Sequence, residues 1–133
     1  MVITRKVEFS ASHMCRRPEL PEEENRRIYG AAANPHGHGH NYVVQVLVGG
    51  TVHPETGMVI NLVALDEVVR TRVVERFDHA SLNLDPLFVN RVPTTENLCR
   101  VIFGLLKDAL PDGELARVRV EETENNFFEC EGE

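Results

Sequence analysis

The sequence has few cysteines and no long apolar segment, and both features restrict the class of protein. Its three cysteines, Cys15, Cys99 and Cys130, are odd in number and lack CxxC spacing, which argues against a disulfide framework and a thiolate zinc site. No apolar run approaches the roughly 20 residues that span a bilayer. Arg5 and Lys6 lie where a signal peptide would need apolar residues. We therefore expect a reduced, soluble protein of the cytoplasm.

Positive charge is also scarce. The 133 residues include 21 acidic and 14 basic side chains, for a formal net charge of -7. This balance argues against sequence-independent binding to nucleic acid or to an anionic membrane surface. Four arginines nevertheless lie close in sequence, at Arg16, Arg17, Arg26 and Arg27. They form either a local anion site or solvated ion pairs with the glutamates at 22–24.

No repeat, low-complexity tract or linker divides the chain, so we expect a single domain over residues 1–133. Alternation of apolar and polar residues predicts strands at 6–11, 40–48 and 118–123, with a final apolar piece at 127–128. The turn signal Pro54-Glu55-Thr56-Gly57 predicts a hairpin that leads into a short strand at 58–61.

Two helices are predicted between these strands. The first covers about 63–77 and buries a stripe of Leu65, Val68, Val69 and Val73. The second begins at a hydroxyl cap and acidic first turn, residues 94–96, and ends at Pro111-Asp112-Gly113. Two strands, two helices and two strands give an α+β fold, with an antiparallel sheet and the helices on one face.

The second strand also carries apolar residues on its outward side. Val43 and Leu47 alternate with the residues that face the predicted core. A second burying surface explains this pattern, so we expect the sheet to associate with other subunits.

Histidines concentrate at the end of the first strand and the start of the second. His38 and His40 are two residues apart, so their imidazoles point the same way from a strand, and His13 on a neighbouring strand would supply a third ligand. Three neutral imidazoles with an open fourth position are typical of catalytic zinc. Imidazole also suits copper, iron and nickel, so the identity of the metal stays open. His36 shares the parity of His38 and His40, so its role as a ligand also stays open.

Three further residues attract attention as chemical groups. Asp78 and His79 follow the first predicted helix, where the carboxylate can orient the imidazole, although adjacent side chains often point apart and a helix-ending polar turn is the simpler interpretation. Glu122 continues the inward parity of Val118 and Val120. A carboxylate on an inward face must find hydrogen-bond donors, unless the strand end reaches solvent.

Six separated motifs occur in order along the chain: FSASH, NPHGHGHNY, TGMVINL, DHASLNLD, PTTEN and ETENN. Together they closely resemble the 6-pyruvoyltetrahydropterin synthase family, over essentially the whole chain. The resemblance implies a tunnelling fold, in which a four-stranded antiparallel sheet carries two helices on one face. It further implies that three subunits close a barrel, that two trimers stack into a homo-hexamer, and that active sites lie between subunits.

The resemblance also assigns roles to residues. It implies zinc ligands at His13, His38 and His40 and a pterin-anchoring carboxylate at Glu122. A pocket-lining segment is implied at Thr94, Thr95 and Glu96. The implied reaction eliminates triphosphate from 7,8-dihydroneopterin triphosphate and gives 6-pyruvoyltetrahydropterin, with zinc as a Lewis acid on the side-chain hydroxyls.

One position departs from the family pattern. The family uses a cysteine before the HGH motif as its proton shuttle, activated by the pair that matches Asp78 and His79, but Ala32 occupies that position here. A methyl group cannot carry a proton, and losing a general acid or base costs about 10² to 10⁴ in rate. We therefore expect a chain that binds zinc and pterin with little turnover.

Three explanations for Ala32 compete. We favour a cysteine-to-alanine replacement that traps bound substrate in an otherwise intact site. A divergent enzyme with another proton carrier, at Cys15, His36 or Glu96, is the second. A non-catalytic pterin- or metal-binding module is the third. Within the family, the alternative activity is that of the 6-carboxytetrahydropterin synthases of queuosine biosynthesis.

Overall fold

The computed structural model describes residues 1–110 and 113–133, so the predicted helix-ending residues Pro111 and Asp112 lie outside the described part. The elements in chain order are β1 (Val2–His13), α1 (Glu22–Tyr29), β2 (His38–Gly49), α2 (Leu62–Val69), α3 (Glu75–Phe77), β3 (Ala80–Ser81), α4 (Thr95–Lys107), β4 (Glu114–Thr123) and β5 (Asn126–Cys130). The α+β class is confirmed.

The sheet has five strands in the order β3-β1-β2-β4-β5. Its four long strands pair antiparallel, as the sequence predicts. The two-residue β3 was not predicted; it pairs parallel with β1 and makes the sheet mixed. The hairpin and strand predicted at 58–61 are wrong, because these residues form no strand and pair with none in the sheet. Val59 and Ile60 bend into the core instead, and the Asn61 side chain caps α2 by accepting a hydrogen bond from the Ala64 amide.

The first predicted helix is confirmed to within a residue. A π-helical turn at Arg70–Val74 continues α2 into α3, so the helical segment runs unbroken up to Asp78. Leu65, Val69 and Val73 are buried along it, as the periodicity predicts, whereas Val68 of the predicted stripe is only partly buried. The helices cover the face of the sheet that carries Tyr42, Val44, Val46, Val118 and Val120, which are fully buried.

The second face of the sheet is less well covered in the single chain. Val43 and Leu47 are only half-buried there. Phe127 is 52% exposed, and the guanidinium carbon of Arg119 lies 3.5 Å from the centre of its ring. This face mixes the partly open apolar side chains with charged ones, such as Glu121 opposite Val43 and Arg117 opposite Leu47, and it remains available to another surface. None of the helices in the described ranges is long and apolar enough to span a membrane.

Candidate active site

Three imidazoles meet where β1 ends and β2 begins. The antiparallel register sets His13 opposite His38 and Ala11 opposite His40, so all three histidines project from one face. Their candidate ligand nitrogens lie within 4.8 Å of one another. Gly37, at φ +74, allows the tight entry into β2, because a Cβ there would lie 3.3 Å from the His13 carbonyl oxygen.

The donor set of this cluster fits a metal ion. His13 is 2% exposed, and its Nδ1 lies 2.7 Å from the carbonyl oxygen of Pro93. A carbonyl can only accept, so Nδ1 carries the proton and Nε2 keeps its lone pair. Within the described residues, the buried Nε2 atoms of His13 and His40 have no hydrogen-bond partner. Buried lone pairs without donors are costly in a protein interior and are what a cation would satisfy.

Burial also keeps these imidazoles neutral. It lowers the pKa of His13, and the neighbouring histidines add to this effect against the opposing hydrogen bond to Pro93. Burial likewise lowers the pKa of His40. A neutral imidazole is the form that binds a metal, so the local environment favours the ligand state.

A carboxylate adjoins the cluster. One oxygen of Glu122, Oε2, lies 3.9 Å from the Nε2 atoms of both His13 and His40. A β-bulge between Glu121 and Thr123, opposite β5, accommodates Glu122 as the extra residue. Glu122 therefore lies at the bulge with its carboxylate turned toward the imidazoles.

Two side chains hold this carboxylate. The Thr95 hydroxyl donates to Oε2 of Glu122, and the Asn126 amide donates to Oε1 at 3.1 Å. Burial alone would raise the pKa of Glu122, but these hydrogen bonds and the nearby imidazoles bring it below its ordinary value. Glu122 is therefore ionised and presents an acceptor surface beside the imidazoles.

The predicted pocket-lining segment divides into three different environments. The Thr94 hydroxyl accepts a hydrogen bond from the Asn97 amide and caps α4. Thr95 is 2% exposed and reaches Glu122, whereas Glu96 is exposed in the first turn of the helix. In the single chain, only Thr95 of this segment contacts the carboxylate.

Asp78 and His79 form a pair at another place on the sheet. The His79 Nδ1 and an Asp78 carboxylate oxygen lie 3.0 Å apart, and Asp78 also accepts the Ser10 amide at 3.0 Å. His79 adopts a left-handed backbone conformation at φ 59, and its side chain is 83% exposed. His79 borders an open groove of about 600 Å³, which is also lined by His40 of the cluster.

Ala32 is connected to the cluster through Cys15. Its carbonyl oxygen accepts the Cys15 amide at 2.8 Å, and the Cys15 sulfur is 3.9 Å from His13 Nδ1. Burial, with contributions from Glu122 and Glu96, raises the pKa of the Cys15 thiol to about 11. This thiol is therefore protonated at neutral pH and a poor base.

His36 and the arginine cluster take no part in the histidine site. His36 is exposed and lies outside the three-histidine group, so its position does not support it as a ligand despite its shared parity. All four arginines form ion pairs with glutamates: Arg16 and Arg26 with Glu22, Arg17 with Glu19, and Arg27 with Glu24. This favours the surface-pair interpretation over an anion site.

Sequence reasoning missed two contributors to the site. The Pro93 carbonyl orients His13, and the Asn126 amide holds Glu122. Asn126 closes the ETENN stretch at a tight turn between two strands, where asparagine often hydrogen-bonds nearby backbone, and this was the available signal. Nothing in the sequence marks a backbone carbonyl as a partner.

Comparison with known proteins shows similarity over nearly the whole chain. The family model described as 6-pyruvoyl tetrahydropterin synthase matches residues 2–133. The human 6-pyruvoyl tetrahydrobiopterin synthase is 42% identical over 132 residues, which cover 98% of this chain and 91% of that protein. The Caenorhabditis elegans 6-pyruvoyl tetrahydropterin synthase structure superposes with a TM-score of 0.94 at 35% identity, covering 100% of this chain and 96% of that one.

A putative 6-carboxy-5,6,7,8-tetrahydropterin synthase of Archaeoglobus fulgidus is 39% identical over 92 residues, 69% of this chain and 73% of that protein. The full-length family match and the extensive identity to the human protein are decisive, and the three histidines that the structure gathers are those that the motifs predict. The chain belongs to the 6-pyruvoyl tetrahydropterin synthase family.

Proposed function

We propose that this chain binds zinc through His13, His38 and His40 and a pterin ring through Glu122. We further propose that it is a 6-pyruvoyltetrahydropterin synthase acting on 7,8-dihydroneopterin triphosphate, with turnover impaired by Ala32. The observation that carries the proposal is the ionised Glu122 carboxylate 3.9 Å from two imidazole nitrogens of the cluster.

The metal half of the proposal rests on the three histidines. Their lone pairs, the partner-free Nε2 atoms and the Pro93 carbonyl behind His13 suit a nitrogen-bound cation. When bound, zinc would supply Lewis-acid polarisation of the substrate's side-chain hydroxyls. By holding the metal, His13, His38 and His40 would keep the substrate side chain at a fixed distance from Glu122.

Glu122 is suited to the ring half. The pterin ring presents an amino group and a ring NH side by side, and a carboxylate accepts such a pair with its two oxygens. Thr95 and Asn126 already fix the plane of this carboxylate, so little side-chain entropy is lost on binding. Glu122 would thereby orient the reacting side chain toward the imidazoles.

The proton-transfer part is where this chain is deficient. Asp78 accepts from His79 Nδ1, which favours a proton there and leaves Nε2 free to accept or release another. In the family pattern, this pair activates a thiol that Ala32 lacks. Without a carrier beside the substrate carbons, the hydrogen shifts along the side chain slow by about 10² to 10⁴.

Assembly would complete the site. His79 is exposed and borders an open groove, and Val43 and Leu47 are incompletely covered in one chain. Both features support an inter-subunit site in a homo-hexamer, in which Asp78 and His79 of one chain serve the cluster of another. Light scattering at micromolar concentration should give a hexameric mass, and a monomer would contradict this part of the proposal.

The deciding experiment measures triphosphate release from 7,8-dihydroneopterin triphosphate by zinc-loaded protein, beside the Ala32→Cys variant, with identification of the product. We expect the variant to exceed the unmodified chain by about 10² to 10⁴. Equal activity in both proteins would show that another residue carries the proton. No activity in either, with pterin still bound, would favour a non-catalytic pterin- or metal-binding module.

The same assay separates the alternative enzyme. The similarity to the Archaeoglobus fulgidus protein favours 6-carboxytetrahydropterin synthase as the second candidate. A 6-carboxytetrahydropterin product from the Ala32→Cys variant would establish that activity, and a 6-pyruvoyl product would exclude it as the main reaction.

A further inference from the structure

We infer that Asn126 is a positioning residue that determines pterin selectivity by fixing the Glu122 carboxylate as an acceptor for two ring donors. The inference rests on the proposed function, because it assumes that Glu122 meets the ring. It assigns a role to a residue on β5 that the motif analysis left without one.

The orientation of the Asn126 amide is determined by its neighbours. Its Oδ1 accepts the Thr123 backbone amide at 3.1 Å and the Thr123 hydroxyl at 2.6 Å. Donors on that side require the oxygen there, so the NH2 group must point the other way. It points to Glu122 Oε1, at 3.1 Å. The turn thus presents a donor, and never an acceptor, to the carboxylate.

The acceptor capacity of Glu122 shows what this arrangement leaves for a ligand. An ionised carboxylate has about four lone-pair directions, two on each oxygen. Thr95 uses one on Oε2 and Asn126 uses one on Oε1. One acceptor direction therefore remains on each oxygen. The amino and ring NH groups of a 2-aminopterin would match this pair, while a ring with a carbonyl in place of the amino group would set an acceptor against an acceptor.

Asn126 also holds Glu122 away from the imidazoles. Oε2 lies 3.9 Å from two imidazole nitrogens, and a cation in that cluster would attract the carboxylate. The hydrogen bonds to Thr95 and Asn126 act on opposite oxygens and resist rotation of the group. A freed carboxylate would lose the alignment that two parallel hydrogen bonds require.

The test substitutes Asn126→Asp, which keeps an oxygen toward Thr123 and replaces only the donor that faces Glu122. Asn125→Asp is the matched control, because it adds the same charge in the same turn and its backbone amide, rather than its side chain, contacts Thr123. Zinc-loaded proteins are titrated at pH 7, where the ring NH remains protonated, with neopterin and with the analogue that carries a 2-oxo group, 6-trihydroxypropyl-lumazine.

We expect Asn126→Asp to weaken neopterin binding by about 10- to 100-fold and to remove most of the preference for neopterin over the lumazine. Asn125→Asp should keep both affinities within about threefold, in the range of exposed charge changes. A merely loosened turn would weaken both ligands alike and leave the preference intact. Unchanged preference in Asn126→Asp would therefore overturn the inference.

A neutral variant, Asn126→Ser, guards against misfolding of the charged one. The uncharged serine side chain ends one atom before both polar atoms of Asn126, so it no longer donates to Glu122 and the same loss of preference is expected. Retained preference in a folded Asn126→Ser protein would also overturn the inference. If the unmodified chain binds neither ligand, the proposed function itself fails, and that outcome is distinct from selectivity that survives in the variants.

Discussion

The hydroxyl of Thr95 donates a hydrogen bond to Oε2 of Glu122, 27 residues later in the chain. Thr95 is the first residue of α4, and Glu122 lies near the end of β4. The contact therefore ties the start of a helix to the carboxylate of the site. A helix amino terminus also carries partial positive charge, which favours an ionised carboxylate nearby.

Thr95→Val should weaken neopterin binding about tenfold. Valine keeps the shape of the buried side chain but removes the hydroxyl, so Glu122 loses one of its two fixed donors. Thr95→Ser should restore most of the affinity, because it restores the donor. Fluorescence titration measures both variants, and full affinity in the valine variant would contradict the role given to Thr95.

His38→Ala should reduce zinc affinity by more than ~100-fold. Removing a residue that only hydrogen-bonds to a metal ligand costs up to ~100-fold, and removing the ligand itself should cost more. The reason is that His38 is one of only three clustered imidazoles in the described part of the chain. His36→Ala is the matched control, since it removes an exposed histidine two residues away. Competition with a chromogenic chelator measures both, and equal losses would refute the assignment of His38.

Asp78→Asn should lower thermal stability near neutral pH and cease to matter in acid. The hydrogen bond from the Ser10 amide, followed by that from His79, holds the pKa of Asp78 below its ordinary value. A lowered pKa stabilises the folded state above the unfolded value of about 3.9, and this contribution is lost as the pH falls through the folded value. The Tm difference between the two proteins should therefore shrink from pH 6 to pH 2. A constant difference would mean that charge on Asp78 is not responsible.

Cys15→Ala should leave any residual turnover of the chain within about threefold. Burial raises the pKa of this thiol to about 11, so thiolate is scarce at pH 7 to 8. Triphosphate release before and after the substitution checks this expectation. A loss of 100-fold or more would instead identify Cys15 as the proton carrier that replaces the family cysteine.

The sequence by itself was sufficient to predict the features that depend on the local periodicity of apolar residues. Strand alternation located β1, β2 and β4, and helical periodicity located the segment that begins with α2 and the helix α4. The spacing of His38 and His40 was likewise enough to place two imidazoles on one face, since side chains two apart in a strand point the same way. The ordered motifs then indicated the family, which the comparisons confirm.

Only the tertiary structure decided the relationships between distant groups. The register that sets His13 opposite His38 arises from pairing along all of β1 and β2, and no short motif encodes it. The arginines illustrate the same limit: sequence allowed an anion site or ion pairs, and the turn of each side chain toward a glutamate favours the second. Which polar groups form hydrogen bonds depends on their distance and direction in the folded chain. For that reason the Pro93 carbonyl behind His13 and the Asn126 amide on Glu122 became visible only there.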